Sequence, residues 1–311
     1  MKKVLKWIGL GMGVFMVLLV ITSFILKSKF INLEKRRFTY GIPDINIPAD
    51  SASITRGLIL SVGCRDCHGL DLSGKDFFND PSIGYMSSPN ITRGKGSATE
   101  QYNDKDWIRT FRHGIDPTGR PLMTMPSESI GQLSDRDLSC LIAYLKSIKP
   151  IDKGRGPTHF TFMAQVLAGA GMFGNLYPQD IINHQKVNTI ASIPISDKPE
   201  YGEYVSRYFG CKTCHGAKLN GFISPDPSAP PCPNITFKGN PGKWTSNQFI
   251  QTMRTGTTPE GKILDAKYMP WPALAAHSDV EIEAVYNFLK SIPAMENNAA
   301  YDKKIKSIAK K

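Results

Sequence analysis

The stretch Gly63-Cys64-Arg65-Asp66-Cys67-His68-Gly69 (GCRDCHG) decides how this chain is read, because it returns as Gly210-Cys211-Lys212-Thr213-Cys214-His215-Gly216 (GCKTCHG). The same marks then follow each copy in the same order. PNIT stands at residues 89–92 and again at 233–236. A helix is expected next, with Trp107, Ile108 and Phe111 on one face, matched by Phe249, Ile250 and Met253; Thr245 and Gln248 open the second as a capping box. Arg112 and Gly114 correspond to Arg254 and Gly256, and Met125-Pro126 to Met269-Pro270. Each series closes on an amphipathic helix that starts at Ser134/Asp137 or Ser278/Glu281. Its buried face is expected to be Leu138, Leu141, Ile142 and Leu145, or Ile282, Val285, Tyr286 and Leu289. The paired marks are offset by 142 to 147 residues, so a duplicated helical module is the simplest architecture. No alternating apolar stretch is long enough to predict a substantial sheet.

C-x-x-C-H is the attachment signature of c-type haem: both thiols add to porphyrin vinyl groups, and the adjacent imidazole ligates the iron. A dithiol redox pair or half of a zinc site leaves the His after the second Cys unexplained in both copies. The expected cofactors are therefore two covalently attached haem c groups, held by Cys64, Cys67 and His68 and by Cys211, Cys214 and His215. The second axial position separates an electron carrier from an enzyme, because a Met thioether closes the iron to substrate and raises its potential. Met125 and Met269 stand at equivalent places, 57 and 54 residues after their His, and are the expected distal ligands. Met123 is the near rival. The expected metal ligands are thus His68, Met125, His215 and Met269, with no catalytic residue.

Outward from the repeats, residues 7–26 run twenty positions without a charge, enough as a helix to cross a ~30 Å hydrocarbon core. A cleaved signal peptide competes, but no small-residue cleavage site follows, so an uncleaved anchor is expected. Basic residues flank both ends; the orientation comes instead from haem attachment, which occurs on the extracytoplasmic side. The chain of 311 residues fits two domains plus this segment. Its 41% apolar content argues against disorder, and its net charge of +11 suits an acidic protein, anionic lipid or nucleic acid without choosing among them. Six cysteines are too few for a disulfide scaffold of this length.

GCRDCHG with SPNIT, TFRHG, MP and LSDRDLSCLIAYLKSI, and GCKTCHG with CPNIT, TMRTG and MPW, resemble the class I cytochrome c modules in the cytochrome subunits of membrane-bound alcohol and gluconate dehydrogenases. The resemblance covers about residues 40 to 295. It implies a compact helical fold around each haem; together with the repeat and the apolar run the expected architecture is all-α, with an N-terminal transmembrane anchor (1–28), a linker (29–48), cytochrome c module 1 (49–150), an interdomain linker (151–198), module 2 (199–295) and a basic tail (296–311). The expected protein is a non-enzymatic member of a respiratory chain; the apolar run and haem attachment place it in the inner membrane, single-pass, with its modules in the periplasm. Its partners would be redox proteins, a dehydrogenase or quinol donor and a terminal acceptor such as an oxidase, and not nucleic acid. The alternative is a dihaem enzyme of peroxidase or thiosulfate dehydrogenase type with one open or exchangeable haem.

The remaining marks have duller readings beside their functional ones. Asn90 and Asn234 match a glycosylation acceptor, but their recurrence favours a loop role with side-chain bonds to backbone near the haem edge. Arg112 and Arg254 are candidates for haem propionates or for plain surface positions. Cys140, matched by Ala284, is expected as a small buried side chain, with a bridge to Cys232 as the alternative. His113, His159, His184 and His277 have no repeated spacing and are expected on the surface or in packing. Residues 160–174 (FTFMAQVLAGAGMFG) are too short to span a membrane and are expected to pack across the two modules. The lysine-rich tail from Tyr301 is expected to be solvated and frayed.

Overall fold

The structure is a computed structural model, and it describes residues 2–224 and 228–308. Helix α1 (Lys2–Lys35) leads to α2 (Ser51–Leu60), α3 (Cys64–His68), strands β1 (Lys75–Asp80) and β2 (Gly84–Ser88), α4 (Asp104–His113), α5 (Ser127–Ile130) and α6 (Asp135–Ser147). After β3 (His159–Phe160) and α7 (Phe162–Gly169) the order returns as α8 (Pro199–Tyr208), α9 (Cys211–His215), β4 (Asn220–Phe222), β5 (Cys232–Asn234), α10 (Ser246–Thr255), α11 (Trp271–Ala275) and α12 (Asp279–Ser291), before α13 (Ala299–Ile308). Helices dominate, as expected. Two small antiparallel sheets were not expected: β1-β2-β3 and β4-β5. Their strands are too short to show an alternating pattern.

Each series encloses its own core. Trp107, Ile108, Phe111, Leu138, Leu141, Ile142 and Leu145 are buried together in the N-terminal unit. Phe249, Ile250, Met253, Ile282, Val285, Tyr286 and Leu289 are buried in the C-terminal one. The expected helix starts are present: Ser134 accepts from the Asp137 amide, and Thr245/Gln248 and Ser278/Glu281 form reciprocal capping boxes. In both units the opening helix crosses the closing helix at a glycine. A Cβ on Gly57 would lie 2.0 Å from the Cys140 carbonyl oxygen, and one on Gly202 1.9 Å from that of Ala284. Any larger residue would force these helices apart. Cys140 is buried at this crossing, and both it and Cys232 are free thiols, so the alternative bridge does not form.

A buried ionic network joins the two units. The Arg56 guanidinium on α2 donates to both Asp137 oxygens (2.9 and 3.1 Å), to Glu281 of α12 (2.8 Å) and to the Tyr201 hydroxyl of α8 (3.1 Å). Tyr201 donates to Glu281 at 2.7 Å, Tyr204 to Asp137 at 2.6 Å, and the Ser134 amide donates to Tyr204. His277 completes it at 3.1 Å from Glu281. Tyr208 packs against both cores.

The segments outside the two series pack rather than dangle. Ile42, Ile45 and Ile47 lie on the N-terminal core. Residues 160–174 do not pack across the two units: α7 lies against α1, where Phe30, Ala168 and Tyr177 form a third small core. The reason is the close approach that Gly169 permits, its Cβ position falling 1.9 Å from the Leu26 carbonyl oxygen. The expected frayed tail is helical as α13 up to Ile308, with Tyr301 against Gly221; Lys310 and Lys311 lie outside the described residues.

His113 and His184 also have a structural place. Their Nδ1 atoms are 3.0 Å apart, and the Tyr40 ring stacks on both, at 4.7 and 3.9 Å between centroids. Burial, followed by the neighbouring His184, holds His113 down to about 4 from its usual 6.5. The unfolded chain therefore binds this proton more readily, so the stability is complete above pH 6.5 and declines as pH falls from 6.5 toward 4. The loss should reach up to about 3 kcal/mol. Denaturant titrations across that range should show it, with a flatter profile for His113→Gln; an equal slope in both proteins would contradict the assignment.

Candidate functional site

Helix α3 carries Cys64 and Cys67 three residues apart, so both thiols project from one face of a single turn. His68 ends the helix, and its Nδ1–H donates to the Pro89 carbonyl at 2.8 Å. That bond fixes the ring and its tautomer and directs Nε2 away for a metal. Burial lowers the His68 pKa, opposed by the Pro89 bond, which favours the neutral ring that coordination needs. The C-terminal unit repeats this on α9: His215 Nδ1 donates to the Pro233 carbonyl, again at 2.8 Å, and burial again lowers its pKa. The Cys64 and Cys211 thiols are pushed up to about 12, chiefly by burial and then by the neighbouring Cys67 or Cys214. Both are uncharged thiols at neutral pH before attachment.

The two proline carbonyls were not among the residues singled out in the sequence; the recurring PNIT was the available signal. Its asparagine explains why the carbonyl stays in place. Asn90 is 1% exposed, donates to the Ile151 and Lys153 carbonyls at 2.7 and 3.0 Å, and accepts from the Thr92 amide and hydroxyl. Asn234 donates to the Met295 carbonyl and accepts likewise from Thr236. These buried amides pin the loop to the chain beyond the closing helix, which supports the loop role over glycosylation. Leu72 and Leu219, before each loop, hold left-handed conformations at φ 62° and 58°, another repeated local constraint.

Met125 and Met269 also occupy matching geometry. Pro126 and Pro270 have φ/ψ of −76°/55° and −75°/55°. The amide two residues after each Met donates to that Met carbonyl at 2.7 Å, forming an inverse γ-turn in both. Proline suits its central position because its φ is already fixed. Met125 packs against the same core as Cys64, and Met269 against the same core as Cys211. Met123 instead joins the small core at the base of α1.

Arg112 is not a surface residue, Arg254 is 30% exposed at its helix end, and both guanidiniums engage a backbone carbonyl and a carboxylate. Arg112 is wholly buried and donates to the Gly131 and Leu133 carbonyls at 2.6 and 2.5 Å, while pairing with Asp135 at 2.6 Å. Arg254 donates to the Ala275 carbonyl and pairs with Asp279 at 2.6 Å. Each guanidinium ties the segment after the Met-Pro turn to the start of the closing helix, and so supports the methionine indirectly. Of the other histidines, His277 serves the inter-unit network and His159 is exposed on β3.

These residues fit a covalently attached haem. In each unit the first thiol and the thioether border one apolar core, and the second thiol and the fixed imidazole sit on the same short helix as that first thiol. The buried Trp107 Nε1–H has no partner among the described residues, a donor that a propionate would satisfy. At the matching position the C-terminal unit has Phe249, which needs no partner.

The comparisons with known proteins agree with this reading. Residues 56–149 match the family model described as Cytochrome c, and are a cytochrome c domain, which carries covalently bound haem c and serves electron transfer. Over 279 residues, 79% of this chain, the sequence is 27% identical to the fructose dehydrogenase cytochrome subunit of Gluconobacter japonicus. The chain spans 54% of that subunit's length.

Proposed function

We propose that the chain is a membrane-anchored dihaem c-type cytochrome that relays single electrons from a dehydrogenase or quinol donor to a terminal acceptor such as an oxidase. The observation that carries this reading is the repetition of the site: thiol pair, His-to-Pro carbonyl bond, buried PNIT asparagine and Met-Pro turn recur with near-identical geometry. The bound haem iron supplies the one-electron redox chemistry. This chain's residues do the rest. Cys64, Cys67, Cys211 and Cys214 would hold the two groups covalently, and His68 with Met125 and His215 with Met269 would ligate their irons. In this reading the methionines leave the irons no open position for a substrate.

Similarity to a dehydrogenase's cytochrome subunit supports a dehydrogenase as donor. Helix α1, whose apolar side chains are exposed from Val4 to Ile25, supports a single-pass anchor of the inner membrane, and covalent haem attachment, which takes place outside the cytoplasm, supports both units in the periplasm. The test is a haem count on the purified full-length protein by pyridine haemochromogen absorbance. Two haems per chain are expected, falling to one when Cys211 and Cys214 are both replaced by Ser. A single haem in the unaltered chain would refute the dihaem reading.

A further inference from the structure

We propose that helix α7 and the turn after it, through Phe173, rest in the phospholipid leaflet on the haem side, forming an interfacial foot beside α1. The inference deepens the anchor reading and rests on it. From 160 to 179 the chain has no charged side chain. Four large apolar residues in this short segment face outward: Phe162 (42% exposed), Met163 (59%), Met172 (63%) and Phe173 (40%). Such a concentration is costly in water and marks a contact surface.

The position of α7 along α1 identifies what covers it. The uncharged run of α1 ends at Leu26, and α7 crosses there, with the Gly169 backbone against Leu26. The Phe162 ring meets Phe24 edge-on at 5.4 Å, and the Lys27 ammonium stands 5.2 Å above the same ring. Phe24 and Ile25 are themselves exposed, so the apolar surface of the anchor continues directly onto α7. Just past the end of α1, about 15 Å beyond Leu26 at ~1.5 Å per residue, Arg36 forms a two-pronged pair with Asp180 at 2.8 and 3.0 Å. That pair marks the aqueous side. The eight residues of α7 reach about 12 Å, far short of a bilayer, so the helix lies in the interface and does not cross it. Two attachments at one level, α1 and α7, would fix the tilt of the N-terminal unit, which a lone helix would leave free.

The test uses the haem-loaded full chain in phosphatidylethanolamine/phosphatidylglycerol liposomes, with Cys140→Ala and Cys232→Ser removing the free thiols. Met163→Cys, Met172→Cys, Leu18→Cys and Ile263→Cys are introduced singly and treated with a charged, membrane-impermeant maleimide. Positions 163 and 172 are expected to react at least about tenfold more slowly than 263, approaching position 18. Rapid labelling at 163 and 172 with 18 protected would overturn the foot while leaving the anchor intact. Rapid labelling at 18 would overturn the anchor reading itself, and the foot with it. Protection at 163 and 172 that disappears when the protein is diluted in lipid would assign the surface to a second copy and overturn the proposal.

Discussion

Under the proposed ligation, Met125→Ala is expected to convert the N-terminal haem from a closed, low-spin centre to one that binds carbon monoxide or added imidazole, and to lower its midpoint potential. A thioether opposite histidine favours the reduced iron, so its loss should cost on the order of 0.2 V of the ~0.8 V range that axial ligation spans. The substitution removes a side chain from the edge of the core, but the inverse γ-turn at Pro126 and the Arg112 clamp remain. A folded protein is therefore expected. Met269→Ala should do the same to the C-terminal haem, and Met123→Ala should do neither, because Met123 belongs to the core at the base of α1. Potentiometric titration followed in the visible spectrum separates the two centres. An unchanged spectrum and potential in both Met125→Ala and Met269→Ala would discard these residues as ligands.

Arg56→Ala is expected to cost about 3–5 kcal/mol, because it strips the shared counterion from two buried carboxylates while leaving both in place. Asp137 and Glu281 are nearly inaccessible, their side chains 11% and 3% exposed, and belong to different units. Guanidinium unfolding followed at the haem absorbance should show a lower midpoint and a separation of the two transitions. A single transition at the original midpoint would mean that the network does not couple the units. The same network sets an acid limit. Burial alone would raise the Glu281 pKa, but the His277 hydrogen bond and the charges of His277 and Arg56 hold it well below the carboxylate range. Its stabilisation is therefore complete above the unfolded carboxylate value of ~4.3 and is lost as pH falls below it. Glu281→Gln should shift the acid transition toward a smaller slope.

Most of the local architecture was legible from single residues. The apolar faces of α4, α6, α10 and α12 followed from helical spacing, and their starts from Ser134, Thr245 and Ser278, because capping and burial act within a few positions. The small sheets were not, since strands of two to six residues leave no period to detect. Arg112 could be weighed only between a propionate and the surface. Its true partners are backbone carbonyls of Gly131 and Leu133, and no side-chain pattern advertises a carbonyl.

The sequence by itself determined the repeat, the thiol pairs and their histidines, the candidate thioethers and the long apolar helix, because each is written as residue type at fixed spacing. Only the tertiary structure decided that Pro89 and Pro233 orient the imidazoles, that Arg56 serves both units, and that α7 belongs with α1. Those contacts join positions distant in the chain, through backbone oxygens, side-chain carboxylates from two units or a glycine-sized gap. None has a signature until folding brings the partners together.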